Sequence, residues 1–408
     1  MRSSRRGATS AALLVTALLL AACSSGGATN APTSAPPSGS DAHPTPTATA
    51  TPAPSETTEP PDASADPLAG WSLEQKVGQL LMVGVNVGKV DQASYDAIST
   101  HHVGNLFLAG RTQAGTGPVK NLVDSFTALV SDETTHGTPL FVSTDQEGGK
   151  VQVLRGPGFS DIPSAMDQST LAPADLQAQA TTWGAELAAA GVDLNLAPVM
   201  DVVTSPETAR SNAPIGYFGR NYGFGVDTVS SHANAFSAGM EANGVDVAIK
   251  HFPGLGRVAG NTDDDAGVTD TVTTRDDPSV QAFRSGIDAG AAFVMMSTAT
   301  YDQIDPSAPA AFSPVVVDGL LRGDLGFQGV VITDDVSKAE QVQAWSPGDR
   351  AVLTVAAGGD MVLASADPGV IPEMATALVQ RAQSDPGFAA KVDAAVLRVL
   401  AAKERLGA

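Results

Sequence analysis

The sequence is constrained most by one unit that recurs eight times between residues 80 and 365: a short apolar run, a polar residue, and a longer segment with helical periodicity. The runs are residues 80–85, 104–109, 140–145, 194–202, 245–251, 292–297, 329–335 and 360–365. Such runs fit strands covered on both faces, and segments such as 176–191 and 229–244 have the spacing of amphipathic helices. Eight strand–helix units predict a single (β/α)8 TIM-type barrel of the α/β class. A doubly wound open sheet is the alternative, although no G-x-G-x-x-G follows the first run.

The first 67 residues differ in character from the rest of the chain. Three arginines precede the apolar run 11–22, which is too short to span a bilayer comfortably and is typical of a secretory leader. The run ends in L-A-A-C, which resembles a bacterial lipobox, so residues 1–22 are interpreted as a lipoprotein signal peptide and Cys23 as the lipidated residue. An ordinary leader with an incidental cysteine is the alternative. Residues 23–67, rich in Ser, Thr, Pro and Ala, are predicted to be a disordered tether, and residues 68–408 to be the barrel domain.

The charge and the cysteine and histidine content of the chain limit the partners and cofactors that it can be expected to have. A formal net charge of −21 argues against nucleic acid and against non-specific adhesion to anionic lipid, so membrane contact is expected through the N-terminal lipid anchor only. Because Cys23 is the single cysteine, no intramolecular disulfide can form. With six histidines and one cysteine, a nitrogen and sulfur ligand set is too sparse to predict a metal, and no organic cofactor is implied either.

Polar residues follow most of the predicted strands. They are Asp145, Asp201, Lys250, His251, Thr298, Asp334, Asp335 and Ser365. Chemistry in barrels of this type gathers at the C-terminal ends of the strands, so these side chains are expected to converge on one mouth. Any one of them alone fits a helix cap or a solvated turn equally well. Together they predict a working pocket.

Five motifs then suggest a family. S-T-D-Q-E-G-G-K-V-Q, N-L-A-P-V-M-D-V, A-I-K-H-F-P-G-L-G, L-L-R-G-D-L-G-F-Q-G-V-V-I-T-D-D and A-A-G-G-D-M-V-L-A occur in the order seen in glycoside hydrolase family 3. The chain is most similar to the single-domain bacterial β-N-acetylglucosaminidases, over residues 71–406. The resemblance implies that Asp334 is the nucleophile. It also implies that Asp145, Arg220, Lys250 and His251 hold sugar hydroxyls.

One loop departs from that family pattern. In the N-acetylglucosaminidase branch the loop after K-H-F-P-G carries an Asp-Ser-His triplet, whose histidine is the general acid/base and whose aspartate orients it. Here Asn261-Thr262-Asp263 stand in that place, and Leu255 stands where an earlier loop histidine is usual. His251 is the last histidine of the chain, so no later imidazole is available.

Three interpretations of this loop remain open. Asp263 serves as the general acid/base with Asn261 orienting it, and the neighbouring Asp264 and Asp265 raise its pKa by like-charge repulsion. Alternatively, the chain is a weak or inactive relative that still binds sugar. In the third, the loop acids form a solvated turn or a cation site, and the proton is handled elsewhere.

The leading hypothesis is an exported, lipid-anchored glycosidase on the outer face of the cytoplasmic membrane. It would remove terminal β-linked N-acetylglucosamine from small saccharides of cell-wall or muropeptide type, with retention of configuration through a covalent intermediate. Lys250 in the same mouth is expected to help keep the nucleophile ionised. The alternatives are a β-glucosidase-like specificity, a sugar-binding lipoprotein without turnover, and a lyase in which Lys250 forms a Schiff base.

Overall fold

Eight parallel strands carry the fold, in the chain order that the sequence predicts. The computed structural model describes residues 66–407. The strands are β1 (Leu81–Asn86), β2 (Asn105–Ala109), β3 (Phe141–Thr144), β4 (Leu194–Asn195), β5 (Asp246–Phe252), β6 (Phe293–Met296), β7 (Val330–Thr333) and β8 (Val362–Ala364). Each strand pairs in parallel with its chain neighbours, and β1 also pairs with β8. A parallel bridge between Ile332 and Met361 joins β7 to β8. The sheet therefore closes, which confirms the barrel and excludes the open doubly wound sheet.

Helices cover the outside of this barrel. They are α1 (Leu73–Gln79), α2 (Gln92–Ser99), α3 (Thr116–Thr127), α4 (Asp132–Thr135), α5 (Ala165–Gln168), α6 (Pro173–Ala189), α7 (Pro206–Ala209), α8 (Val226–Glu241), α9 (Pro278–Asp288), α10 (Pro347–Ala356), α11 (Ile371–Ser384) and α12 (Pro386–Lys403). A wider π-type helix, Val315–Asp324, lies between β6 and β7. The two helices predicted at residues 176–191 and 229–244 correspond to α6 and α8.

Apolar side chains fill the barrel interior as one packed cluster. Phe141 and Phe293 meet edge to face across it, with ring centroids 5.2 Å apart. Val399 and Ala402 of α12 belong to the same buried cluster, so the C-terminal helix closes one end of the barrel. At the other end, Phe107, Leu196, Met295 and Leu363 belong both to this cluster and to the floor of a pocket. A packed core therefore supports the side chains above it.

The fourth strand is shorter than predicted. The apolar run 194–202 forms a regular strand only at Leu194–Asn195. Pro198 has no N–H to give to a ladder, so regular pairing cannot continue through it. The backbone still follows β5, because the amide of Met200 donates to the carbonyl of Lys250 at 2.7 Å. The result is an irregular segment that brings Asp201 beside the end of β5.

Short strands outside the barrel brace the loops at the mouth. Gln146–Gly148 and Val151–Gln152 form an antiparallel pair directly after β3. Thr269–Asp270, Thr300–Tyr301 and Asp305–Pro309 form a second small sheet, which ties the loop after β5 to the loop after β6.

The predicted leader, the lipidation residue Cys23 and almost all of the predicted tether lie outside the described residues, which begin at Asp66. Within residues 66–407, every helix is too short or too polar to span a lipid bilayer.

Candidate active site

A pocket of about 320 Å³ opens at the C-terminal ends of the barrel strands. All the catalytic and sugar-binding residues predicted from the sequence line it, namely Asp145, Arg220, Lys250, His251, Asn261, Asp263 and Asp334. This volume is at the lower end of the roughly 300–1,000 Å³ typical of ligand pockets. Its polar walls stand over an apolar floor, so it suits one small polar molecule.

A buried charge network forms the wall at the ends of β3 and β5. The Lys250 ammonium lies 2.7 Å from a carboxylate oxygen of Asp145 and 2.7 Å from one of Glu147. Arg220 donates two hydrogen bonds to Glu147, at 2.9 and 2.7 Å, in the bidentate geometry that a guanidinium offers a carboxylate. The side chains of Lys250 and Glu147 are 2% and 5% exposed, so the centre of the network is shielded from solvent, while Asp145 and Arg220 at its edge are partly exposed.

The network fixes the ionisation of its members. Burial alone would raise the pKa of Glu147, but the charges and hydrogen bonds of Arg220 and Lys250 bring that pKa down to about 2. Burial alone would lower the pKa of Lys250, but Asp145 and Glu147 outweigh it, and the pKa lies above its ordinary value. Lys250 is therefore a permanent ammonium, which is the wrong state for a nucleophilic amine. This finding contradicts the Schiff-base alternative. The ammonium of Lys250 is bonded to Asp145 and Glu147, and its expected effect on the ionisation of Asp334 stays a prediction.

A second buried pair joins the ends of β4 and β5. Asp201 is fully buried and accepts from Nδ1 of His251 at 2.7 Å, from the backbone N–H of His251 at 3.2 Å and from that of Leu255 at 2.6 Å. Because a carboxylate accepting three donors gives no proton, the proton lies on Nδ1 of His251. Nε2 of His251 then faces the pocket, 3.4 Å from Nη2 of Arg220 and 3.9 Å from Oδ2 of Asp334.

The two adjacent aspartates after β7 have different surroundings. Both oxygens of Asp335 are occupied: Oδ1 accepts from the Ser337 hydroxyl at 2.7 Å and from Ser365, while Oδ2 accepts from the Lys338 amide at 2.8 Å. Asp334 uses only Oδ1, which accepts from the Asp335 amide at 2.8 Å. Among the described residues, no donor comes within hydrogen-bonding distance of Oδ2 of Asp334, and 24% of the side chain is exposed. Asp334 is therefore the carboxylate available to a bound molecule, and Asp335 holds the loop together.

The loop that carries Asp263 is pinned over the mouth by the turn after β7. The Glu340 and Gln341 amides donate to the carbonyls of Asp263 and Thr262, both at 3.1 Å. The base of the loop also approaches the end of β4 closely, because a Cβ on Gly256 would lie 2.0 Å from the Val202 carbonyl oxygen. An aspartate is shorter than a histidine, and this closure is what brings its carboxylate towards the pocket.

Asn261 acts on the loop backbone and not on the carboxylate of Asp263. Its Oδ1 accepts from the Asp263 amide at 3.4 Å, and its Nδ2 donates to the Asp264 carboxylate at 2.8 Å. The orienting role expected of Asn261 would therefore act through the turn that positions the Asp263 backbone. Since a side-chain oxygen that accepts two residues along the chain shapes the backbone, Asn261 sets the direction of the loop.

The surroundings of Asp263 raise its pKa to about 7. The side chain reaches solvent through the open mouth, but protein encloses its other sides, and this burial is the largest cause of the shift. The charges of Asp334 and Asp335 come next, while Arg220 and His251 oppose them. The direction of this pKa shift agrees with the sequence prediction, but the carboxylates that cause it are different ones. The repelling carboxylates belong to the strand end after β7 and not to the neighbouring Asp264 and Asp265.

Sequence reasoning missed two residues of the site. Glu147 lies two residues after Asp145, and the two-residue repeat of extended chain could have placed both on one face. Asp201 was recognised as a polar strand end but received no role, since nothing in its own segment shows that it bonds to His251. Thr298, by contrast, is buried and does not line the pocket.

These features together define a class of protein. A barrel whose mouth holds one free carboxylate, a second carboxylate with a raised pKa, and a fixed set of hydroxyl-binding charges has the parts of a glycoside hydrolase. Comparison with known proteins agrees with this class. Residues 72–402 match the family model described as the glycosyl hydrolase family 3 N-terminal domain. The chain therefore belongs to glycosyl hydrolase family 3.

Several proteins of known name are similar to this chain. A β-N-acetylhexosaminidase of Beutenbergia cavernae DSM 12333 has a solved structure that is 67% identical, with a TM-score of 0.81 over 82% of this chain and 98% of that one. A family 3 β-N-acetylglucosaminidase of Paenibacillus sp. FPU-7 is 30% identical, with a TM-score of 0.73 over 82% of this chain and 63% of that one. A β-hexosaminidase of Stenotrophomonas maltophilia K279a is 33% identical over 70% of this chain and 82% of its own length.

The pairing of Asp201 with His251 gives a testable prediction. In Asp201→Asn, the amide can turn its NH2 towards the ring, so the proton on Nδ1 of His251 is no longer held. We expect the ¹⁵N resonances of that imidazole to shift to a different tautomer, with a loss of about 1.5–3 kcal/mol in unfolding free energy for the weakened charged hydrogen bonds. The ring of His232, which is bonded to the carbonyls of Thr228 and Leu171, serves as the internal control. Unchanged His251 resonances would contradict the assignment.

Proposed function

We propose that this protein is a retaining β-N-acetylhexosaminidase that removes a terminal β-linked N-acetylglucosamine from a saccharide. One observation carries the proposal: Asp334 presents an unoccupied carboxylate oxygen to the same pocket in which the pKa of Asp263 is raised to about 7. Two carboxyl groups whose surroundings drive their ionisation apart are the requirement for nucleophile and acid roles. The names of the relatives support an N-acetylhexosamine, and that of the Paenibacillus relative supports N-acetylglucosamine.

In the first step, Oδ2 of Asp334 attacks the anomeric carbon, and the bond from that carbon to the leaving oxygen breaks. The proton of Asp263 passes to the leaving oxygen, so the departing group is a neutral alcohol. The product is a glycosyl ester of Asp334. Asp263 is then an anion close to a neutral ester, so one source of the repulsion that raised its pKa is gone.

In the second step, Asp263 accepts a proton from water as that water attacks the anomeric carbon, and the ester bond to Asp334 breaks. Two inversions at one carbon give net retention. The hydroxyls of the sugar are held by Asp145, Lys250, His251 and Arg220, which line the same pocket as Asp334. Because Glu147 and Asp201 already fix these groups, they are positioned before the sugar arrives.

We further propose that the protein acts outside the cytoplasm, held at the membrane by a lipid on Cys23, with cell-wall saccharides of muropeptide type as its substrates. The lipobox-like L-A-A-C and the proline-rich residues 23–67 support the anchor and its reach. A relative from Arthroderma benhamiae, 31% identical, is called a secreted glycosyl hydrolase.

The anchor is tested by expressing the full chain and Cys23→Ser in a bacterial host fed an alkyne-tagged fatty acid. We expect label and membrane fractionation for the native chain and neither for the variant, because only a thiol accepts the lipid. Equal labelling of both proteins would contradict the anchor, and so would an unlabelled native chain.

Azide rescue tests the two catalytic roles together. With 4-nitrophenyl N-acetyl-β-glucosaminide, Asp334→Ala should lose at least about 10⁴-fold in kcat, and azide should yield the α-glycosyl azide, since it enters from the vacated face. With the same substrate, Asp263→Ala should be rescued by azide to the β-glycosyl azide, because attack then occurs on the intact glycosyl ester. Asp264→Ala is the matched control and should change kcat by no more than about threefold. A native protein that binds N-acetylglucosamine without turnover would support the sugar-binding alternative instead.

The raised pKa of Asp263 predicts a pH limb. The first step needs the protonated acid, so kcat/KM for a substrate with a poor leaving group should be constant below about pH 7 and fall tenfold per pH unit above it. In Asp263→Asn this basic limb should disappear along with most of the activity on that substrate. Persistence of the same limb in the variant would assign it to another group.

A further inference from the structure

A second cavity lies beside the first at the barrel mouth. It has a volume of about 740 Å³ and is lined mainly by the loops after β1, β2 and β8, including Asn86, Lys89, Gln92 and Ala109. Phe107, Ser365 and Ala366 line both cavities, so a single shared wall separates them. The catalytic scheme above uses none of the residues that line only the second cavity.

The arrangement of strands shows which part of a substrate would face this cavity. The strands follow one another around the barrel in chain order, so the loops after β8, β1 and β2 form one continuous side of the mouth. The hydroxyl-binding network stands at the ends of β3 and β5, and Asp334 stands after β7. A sugar held by its hydroxyls at β3 and β5, with its anomeric carbon at Asp334, directs whatever is bound to that carbon away from the hydroxyl-binding wall, with the leaving oxygen next to Asp263 on the loop held at the turn after β7.

The other sides of the mouth are already covered. The hairpin after β3 carries Glu147, the segment after β4 supplies Pro214 and Arg220, and the loop after β5 is pinned to the turn after β7. The side formed by β8, β1 and β2 leads instead to open space over the shared wall.

We propose that this second cavity is the subsite for the leaving-group saccharide, the sugar released when the glycosidic bond is cut. The proposal rests on the proposed function and adds where the remainder of the substrate binds. Lys89, Asn86 and Gln92 are exposed and offer ammonium and amide groups, which suit the hydroxyls of a pyranose ring. Phe107 supplies an apolar edge at the shared wall.

The volume of the second cavity favours a whole sugar over a smaller group as its occupant. The 2-acetamido group of the bound sugar also lies next to the anomeric carbon, but it holds only a few heavy atoms. A cavity more than twice the volume of the catalytic pocket exceeds the needs of that group and accommodates a whole sugar. Loss of the subsite should therefore affect disaccharides and spare substrates whose leaving group is too small to reach it.

The test compares N,N′-diacetylchitobiose with N-acetylglucosaminyl fluoride, which share the transferred sugar and differ in the leaving group. Gln92→Trp blocks the cavity from the surface of α2, and Lys89→Ala removes its ammonium. Gln179→Trp on the exposed face of α6 and Lys120→Ala on α3 are the matched controls. We expect kcat/KM for chitobiose to fall about 10- to 30-fold in Gln92→Trp and about 3- to 10-fold in Lys89→Ala. Values for the fluoride should stay within twofold, and both controls should resemble the native protein on both substrates.

The outcomes separate the subsite from the proposed function. Equal losses on both substrates, or no loss on chitobiose in Gln92→Trp, would overturn the subsite, the second result indicating that the leaving sugar projects into solvent. A native protein that cleaves neither substrate would overturn the proposed function and the subsite with it. Circular dichroism melting of each variant distinguishes a folding defect from a local one, since only a local change can be selective between the two substrates.

Discussion

The pairing of basic with acidic side chains at the barrel mouth determines which carboxyl groups are free to react. Three basic groups of the pocket are each bonded to a partner: the buried Lys250 to Asp145 and Glu147, the half-buried Arg220 to Glu147, and the buried His251 to Asp201. Among the described residues, no basic side chain forms a hydrogen bond to the carboxylate of Asp334 or of Asp263. Two carboxyl groups in one pocket resist simultaneous ionisation, so one of them keeps its proton near neutral pH. The surroundings of Asp263 raise its pKa to about 7, which suits it to that role, while Asp334 keeps one carboxylate oxygen free for a bound molecule.

The barrel makes this pairing possible because its apolar core supports the site, while side chains at the strand ends carry the chemistry. The apolar cluster inside the barrel holds the pocket floor rigid. Above it, Glu147 and Asp201 fix the side chains of Arg220 and His251 before a substrate binds. The acid comes from a loop, which in isolation would be a poor place for a positioned group. Backbone hydrogen bonds to Glu340 and Gln341 provide the missing rigidity. The loop that carries an aspartate in place of the family's histidine is thus held over the pocket that Asp334 also lines.

The sequence predicted the barrel well because its signal is local and repeated. Eight apolar runs with polar ends are visible without knowledge of any long-range contact, and each of them contains a strand. The same local signal placed Asp145, Lys250, His251 and Asp334 in one mouth. It overestimated the fourth strand, where Pro198 interrupts regular pairing.

The partners of these residues could not be predicted in the same way. Which of Asp334 and Asp335 is free depends on Ser337 and Ser365, and the second lies about one strand further along the barrel. The raised pKa of Asp263 was predicted from its sequence neighbours, whereas its causes are burial and two carboxylates some seventy residues away. An orienting role was expected of Asn261, but the sequence did not show that its side chain bonds to the loop backbone and to Asp264. In each case a three-dimensional neighbour, and not a sequence neighbour, determines the chemistry.

Covalent trapping tests the central claim most directly. A 5-fluoro derivative of N-acetylglucosaminyl fluoride forms its glycosyl ester faster than water releases it, so the labelled peptide can be identified by mass spectrometry. If the free carboxylate is the nucleophile, the label is found on Asp334, and the protein loses activity in proportion to labelling. A label on Asp335 or Asp263, or steady turnover without any covalent species, would contradict the account.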